Sequence, residues 1–358
     1  MARLRLPALP DQVPARASTR ALVPSRVPRR VAAHLPGRPR GAAEPEPLLV
    51  YDRPKRNPAR LRLTHSPTAQ ARYVKVRGAK VRVVVDGPDD GIPVVLVHGL
   101  GRSLEDWSDQ IVRLGDRYRV IALDMPGFGL SKRTSDKLTV EALAAAVLKL
   151  LDKLGERRPA VIMGNSLGGA VAMTVAATKP ERVAGLVLVD SAGFGTEVSI
   201  GLRLLDLGIA RHALRLRRYQ RVTRLTERNM FHDKSFVTPE RVAYATKVGR
   251  RKHFVRTFEE VAREIGSAKG VDEAWRTALV ARVAALDLPT LVVWGAQDWI
   301  LPATHARTAG EAFPQARVVV LDQCGHAPQI EQADAFAALA RDFLDSLPPQ
   351  PTPEPTAT

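Results

Sequence analysis

The stretch GNSLGG at residues 164–169 decides the fold of this 358-residue chain. An apolar run, AVIM at 160–163, comes before it, and a small-residue helical segment, AVAMTVAA at 170–177, comes after it. A serine between glycines at a strand-to-helix turn is the pattern of a nucleophile elbow. The glycines avoid Cβ clashes in a strained turn, and the following helix points its N–H groups at developing negative charge. The pattern predicts that Ser166 is a nucleophile.

Strand and helix patterns alternate on both sides of this stretch. Alternating segments at 72–76 and 80–85, joined at Gly78, predict an antiparallel hairpin. Apolar runs typical of buried parallel strands follow at 94–97, 120–123, 160–163, 186–189, 291–294 and 318–321. Helical patterns separate them at 104–114, 139–154, 167–178, 305–313 and 333–347. The alternation predicts an α/β fold with a mostly parallel, doubly wound, eight-stranded sheet.

The patterns divide the chain into a core, an insertion and two tails. Residues 70–195 and 281–347 carry the alternation and are predicted to form the core. Residues 196–280 predict several helices without a strong strand, which we interpret as an inserted helical lid. The basic, proline- and arginine-rich residues 1–69 and the proline-rich residues 348–358 are predicted to be disordered, because they hold too little apolar surface to offset the entropy of ordering.

Positive charge is concentrated at the start of the chain. The formal net charge is +17, and residues 1–62 hold 14 Lys and Arg against 4 Asp and Glu. A weak electrostatic contact of this tail with an anionic membrane or nucleic acid is one interpretation. A solvated tail, or a translation start placed too far upstream, is the other. The solvated tail or the misplaced start is favoured, because Tyr51 is the only aromatic side chain of residues 1–62 that could stack on bases.

Cysteine content and hydropathy bear on the compartment. Cys324 is the single cysteine, which excludes an intrachain disulfide framework and is typical of a reducing compartment. Apolar runs stay well short of the roughly 18 residues that a membrane span requires, and the N-terminal residues lack a signal-peptide pattern. We therefore expect a cytoplasmic protein, with no obligate protein partner.

Asp298 and His326 each follow a predicted strand on the C-terminal side of the chain. Asp298 comes after the run at 291–294, and His326 comes after the run at 318–321. Catalytic groups of open parallel sheets lie on such strand-end loops, and the order Ser, Asp, His is the one expected beside a nucleophile elbow. The sequence predicts that Ser166 attacks, that His326 takes its proton and that Asp298 orients the imidazole. This chemistry requires no metal and no organic cofactor.

A glycine-containing loop at 98–101 follows the run at 94–97 and is predicted to form one side of an oxyanion hole. The backbone N–H groups of Leu100 and Leu167 are the two predicted donors. Losing one such donor typically costs about 3–4 kcal/mol of transition-state stabilisation. Supporting roles are predicted for His98, Gly99, Gly164 and Gly168.

These motifs together resemble the α/β-hydrolase superfamily over roughly residues 70–347. The resemblance is carried by HGLG at 98–101 with Trp107, DMPGFGLS at 124–131, GNSLG at 164–168, GAQD at 295–298 and GH at 325–326. It implies the fold and the triad. Within the superfamily, the chain resembles the lid-bearing serine esterases and lipases.

Asn165 and the predicted lid also resemble the meta-cleavage-product hydrolases, which cleave C–C bonds. Those enzymes usually carry Gly-Pro-Gly in the oxyanion loop, where this chain has GRS at 101–103. They usually have a tryptophan after the catalytic histidine, where this chain has Ala327. A serine at the elbow argues against the haloalkane dehalogenase and epoxide hydrolase branches, which use aspartate there.

Three further side chains could be mistaken for catalytic groups. Asp190 follows the run at 186–189 and is the alternative triad acid, because some hydrolases of this architecture place the acid there. Asp124 precedes the serine and is interpreted as a tight-turn residue. Cys324 is interpreted as small buried filler.

The resulting expectation is a serine hydrolase that cleaves small-molecule carboxylic esters of apolar acyl groups through an acyl-enzyme. C–C hydrolysis of a vinylogous diketone by the same triad is the first alternative. A non-enzymatic hydrolase-fold protein that binds a ligand or polyanion through its basic surface is the second.

Overall fold

The computed structural model describes residues 70–198, 219–267 and 270–348. The predicted tail 1–69 lies outside these residues, as does all but the first residue of the predicted tail 348–358. Part of the predicted lid, residues 199–218 and 268–269, also lies outside them.

The described residues contain ten strands, and eight of them form one sheet. The strands are β1 Arg72–Val76, β2 Ala79–Asp86, β3 Pro93–Val97, β4 Arg119–Leu123, β5 Ala160–Asn165, β6 Val183–Val189, β7 Gly266–Ser267, β8 Gly270–Val271, β9 Thr290–Gly295 and β10 Arg317–Leu321. The large sheet has the order β1-β2-β4-β3-β5-β6-β9-β10. β2 is antiparallel to both of its neighbours, and every pair from β4 to β10 is parallel. The predicted fold class is confirmed.

Helices lie along the sheet and between β6 and β9. They are α1 Ser108–Leu114, α2 Val140–Lys153, α3 Leu167–Thr178, α4 Tyr219–Met230, α5 Pro239–Gly249, α6 Phe254–Ile265, α7 Glu273–Ala284, α8 Thr304–Ala312, α9 Pro328–Glu331 and α10 Ala333–Ser346. α2 begins where its sequence predicts, because the Thr139 hydroxyl accepts the N–H of Ala142 at 3.1 Å and caps the first turn.

The central strands are apolar at every position because helices cover both faces of the sheet. All five residues of β3 are buried. Val95 belongs to the apolar cluster under α2 and α3, whereas Val94 belongs to the cluster that contains Trp107 and Phe336. Alternate residues of one strand therefore enter two different cores.

The edge strand β10 departs from its prediction. Its unbroken apolar run predicts a buried parallel strand, but Val318 and Val320 are 36% and 49% exposed. β10 pairs with β9 on one side and ends the sheet. An apolar run of β-branched residues predicts a strand but does not say whether the strand is central.

The segment between β6 and β9 contains α4 to α7 and the pair β7–β8. The pairing of β7 with β8 is antiparallel and covers two residues of each strand, too short for a periodic pattern to reveal. α7 spans residue 280, the predicted end of the insertion, and its Leu279 and Val283 belong to the same buried cluster as the sheet. None of the described helices has the length and apolar character needed to cross a membrane.

Candidate active site

Ser166 occupies the turn between β5 and α3 in a rarely populated conformation. Its φ is 57° and its ψ is −119°, a region that non-glycine residues enter only when neighbours hold them there. The Ser166 N–H donates to the Val189 carbonyl at 2.9 Å, and its carbonyl accepts the N–H groups of Gly169 at 3.0 Å and Ala192 at 3.1 Å. The end of β6 thus holds the turn, and Ser166 is partly exposed at the carboxyl edge of the sheet.

The glycines around Ser166 allow three pieces of backbone to meet. A Cβ on Gly164 would lie 2.1 Å from the Gly168 carbonyl oxygen, and a Cβ on Gly168 would lie 2.2 Å from the Val97 carbonyl oxygen. Both distances are far below van der Waals contact and involve backbone atoms that cannot swing away. The two glycines therefore set the close approach of β3, β5 and α3.

Asp298 and His326, which the sequence places on separate loops, form a buried hydrogen-bonded pair. His326 Nδ1 and Asp298 Oδ2 are 2.6 Å apart. The other Asp298 oxygen accepts the N–H groups of Ile300 at 2.7 Å and Leu301 at 3.0 Å. With Nδ1 engaged by the carboxylate, Nε2 is the ring nitrogen left for proton exchange.

Asn165 links the serine turn to the histidine loop. Its Nδ2 donates to the His326 carbonyl at 3.0 Å and to the Val189 carbonyl at 3.2 Å. The residue before the serine therefore fixes the backbone of the histidine. The sequence marked Asn165 only through the resemblance to C–C hydrolases, because a lone asparagine carries no information about its partners.

The loop predicted to supply an oxyanion donor passes directly beside Ser166. A Cβ on Gly99 would lie 3.4 Å from the Ser166 Cβ. His98 is wholly buried, with Nδ1 2.8 Å from the Gly99 carbonyl and Nε2 accepting the Met125 N–H at 3.0 Å. Burial lowers the pKa of His98 to about 4, so this imidazole is neutral near pH 7 and braces the loop.

A buried ion cluster joins the same loop to the insertion. Arg102 makes two hydrogen bonds to Asp106, at 2.7 and 2.8 Å, and a third to Glu227 of α4. Arg241 of α5 lies 3.5 Å from Asp106 and 4.0 Å from Glu227. Sequence reasoning missed this cluster. The only local signal is the four-residue spacing of Arg102 and Asp106.

Glu331 joins the histidine loop to the insertion and was also missed. Its carboxylate accepts the N–H groups of Gly325 at 2.6 Å, His232 at 3.1 Å and Asp233 at 2.5 Å. The His326 N–H donates to the carbonyl of Met230, the last residue of α4, at 2.7 Å. The end of α4 and the histidine loop thus share one hydrogen-bond network.

Asp124, which the sequence predicts to be a tight-turn residue, hydrogen-bonds to the backbone of two loops. Its two oxygens accept the N–H groups of Leu104 at 2.8 Å and Leu130 at 2.7 Å. Burial raises its pKa above the usual range. The carboxyl group is therefore committed to loop backbone.

A small apolar cavity adjoins Leu100. Its volume is about 70 Å³. Apolar side chains from the oxyanion loop and the insertion line it, together with Glu259 and Arg263; the apolar ones are Leu100, Val198, Ala262, Ile265 and Val271. The cavity suits an apolar group with a polar end.

Asp190, Asp298 and His326 are also a set of groups able to bind a metal, within 4.8 Å of one another. The His326–Asp298 hydrogen bond already engages His326 Nδ1 and Asp298 Oδ2. We expect EDTA to leave the rate of fluorophosphonate labelling of the protein within about twofold of the untreated rate. A loss of labelling that zinc restores would contradict this expectation.

The chain belongs to the α/β-hydrolase fold family, whose model matches residues 92–333. It is 35% identical to the dihydrolipoyllysine-residue acetyltransferase component of an acetoin cleaving system from Pseudomonas putida, over 75% of this chain and 68% of the relative. It is 30% identical to a 2-hydroxymuconate semialdehyde hydrolase from Pseudomonas sp. (strain CF600), over 75% of this chain and 93% of the relative.

A similar solved structure is a meta-cleavage product hydrolase from Pseudomonas fluorescens IP01. It has a TM-score of 0.66 and 27% identity, and the match covers 76% of this chain and 97% of that one. The predicted membership of the superfamily is thereby confirmed.

Proposed function

We propose that this hydrolase uses Ser166, His326 and Asp298 to cleave a C–C bond beside a ketone in a dienol keto acid. The observation that carries the reaction type is the 2.6 Å Asp298–His326 pair, tied through Asn165 to the serine turn. Two of the proteins named above, the 2-hydroxymuconate semialdehyde hydrolase and the meta-cleavage product hydrolase, favour C–C cleavage over the ester hydrolysis expected from the sequence. The first of them matches along 93% of its length.

The proposed chemistry is acyl transfer to water. His326 Nε2 takes the Ser166 proton as Oγ bonds to the ketone carbon, and the N–H groups of Leu100 and Leu167 stabilise the oxyanion. The step needs the keto tautomer of the substrate, in which the carbon next to the ketone is sp3. When the C–C bond breaks, its electron pair moves through the adjacent C=C bond to the 2-oxo group, and the resulting dienolate takes the proton back from His326. A water then hydrolyses the acyl-enzyme by the same steps. Asp298 holds the imidazole tautomer and stabilises the imidazolium.

Ester hydrolysis is the second candidate. The observations that favour it are Arg102 and Ser103 in the oxyanion loop and the buried Ala327 after His326, where C–C hydrolases usually have proline, glycine and tryptophan. An ester needs the same nucleophile and base, with an alkoxide in place of the carbanion as leaving group. We also propose that residues 196–280 act as the lid over the site, since α6 and β8 line the cavity next to Leu100.

A comparison of two substrates distinguishes the candidates. We expect kcat/KM for a dienol keto acid to exceed that for p-nitrophenyl butyrate by about 100-fold or more, because a site specific for the first would stabilise its departing dienolate, although p-nitrophenolate is intrinsically the better leaving group. The opposite ratio would assign the protein to the esterases. Failure to hydrolyse either, with heparin retention that is lost on deleting residues 1–62, would instead favour the non-enzymatic binding protein.

A further inference from the structure

The carboxyl group of Asp190 lies beside the Asp298–His326 pair and has no role in the chemistry proposed above. Asp190 directly follows β6, is wholly buried and has a φ of 40°. One of its oxygens, one Asp298 oxygen and one His326 ring nitrogen lie within 4.8 Å of one another. Three strand ends, those of β6, β9 and β10, thus bring two acids to one imidazole.

Only one of the two Asp190 carboxyl oxygens accepts a hydrogen bond from the described residues. Oδ1 accepts the Gly295 N–H at 2.8 Å, at the end of β9. Oδ2 is buried and has no hydrogen-bond partner among the residues that the structure describes. Leaving a buried polar atom without a hydrogen bond is unfavourable. If Oδ2 carried a proton, it could donate a hydrogen bond to the neighbouring Asp298 carboxylate.

The charges around Asp190 also favour its protonated form. Burial, together with the negative charges of Asp298 and Glu331, raises the pKa of Asp190 well above its usual range. Two adjacent buried carboxyls do not both ionise, so one of them keeps a proton. Asp298 accepts two backbone N–H groups and pairs with the imidazole, whereas Asp190 accepts one backbone N–H, so Asp190 is the carboxyl with an oxygen available to carry a proton.

We infer that Asp190 is a positioning residue that keeps its proton, donates it in a hydrogen bond to Asp298, and replaces Asp298 as the acid when that charge is removed. The inference rests on the proposed triad and adds a residue to it. In an Asp298→Asn variant the like charge is gone, so Asp190 can ionise within reach of His326.

The test uses Asp190→Asn, Asp298→Asn and the double variant of the full chain, with the rate of fluorophosphonate labelling as the readout. Asp190→Asn should lower the rate by about threefold, because an amide still donates to Asp298 but is a weaker donor than a carboxylic acid. Asp298→Asn should lose about 100-fold, less than the roughly 10⁴-fold typical when an orienting carboxylate is lost. The double variant should lose the full roughly 10⁴-fold.

The decisive quantity is the effect of Asp190→Asn in the two backgrounds. A structural role would give the same factor in both, and that result would overturn the inference. Asp90→Asn is the matched control, because Asp90 is an exposed carboxyl in the loop before β3, at the amino end of that parallel strand; its effect should be negligible in both backgrounds.

Two outcomes keep the test decisive if a variant folds poorly. Should Asp190→Asn not fold, Asp298→Asn alone decides, since a loss of about 10⁴-fold there would leave no reserve acid. Labelling that persists in Ser166→Ala would instead contradict the proposed nucleophile, and the inference would fall with it.

Discussion

Ser166→Ala removes fluorophosphonate labelling and lowers turnover of the best substrate by at least about 10⁴-fold. The reason is that no other group at the turn could form the proposed covalent intermediate, whereas the proposed oxyanion donors and the cavity would be unchanged. Turnover by the purified parent and variant, with mass spectrometry of the labelled peptide, measures both effects.

Ser135→Ala is the matched control, because Ser135 is exposed and belongs to the loop before α2, which carries none of the proposed triad residues. It should label and turn over like the parent. Equal turnover by the parent and Ser166→Ala would remove Ser166 from the mechanism. Retained folding of Ser166→Ala, seen as an unchanged thermal midpoint, shows that the loss is chemical.

Gly168→Ala lowers the free energy of unfolding by about 3 kcal/mol, the upper end of what overpacking usually causes. Its Cβ would lie 2.2 Å from the Val97 carbonyl oxygen and 2.7 Å from that of His98. Because both are backbone atoms, β3 and α3 must separate, which also moves the loop beside Ser166. Urea unfolding of parent and variant measures the change.

Gly310→Ala provides the comparison for this stability effect. Gly310 lies in α8, and a Cβ there would meet only the Val318 side chain, at 3.2 Å. Alanine also favours a helix over glycine by roughly 1 kcal/mol, so this variant should be as stable as the parent or slightly more so. A Gly168→Ala variant as stable as Gly310→Ala would mean that the close approach at the elbow is not a constraint.

The sequence predicted the sheet and the position of the candidate site for one physical reason. In a parallel sheet the carboxyl ends of strands share an edge, so the loops carrying Ser166, Asp298 and His326 were expected to meet there. The structure brings Asp298 and His326 to 2.6 Å. Placing Asp298 and His326 at one edge needed only the strand runs and the residues just after them.

The groups that brace the site were beyond reach of the same reasoning. Glu331 bonds to the N–H groups of His232 and Asp233, and Arg102 pairs with Glu227, across about a hundred residues or more of chain. The sequence of a single chain does not reveal such a pairing, because charged residues at these positions are indistinguishable from solvent-exposed surface residues. The exposure of β10 was missed because hydropathy does not give strand order.

The order of the site residues along the chain has a consequence for biosynthesis. Ser166 lies before the insertion, and His326 lies after it. At about 5–20 residues per second, the ribosome makes the proposed base roughly 10–30 s after the proposed nucleophile. If the proposed triad acts, a nascent chain therefore carries an unactivated serine until His326 has been synthesised and β9 and β10 have docked.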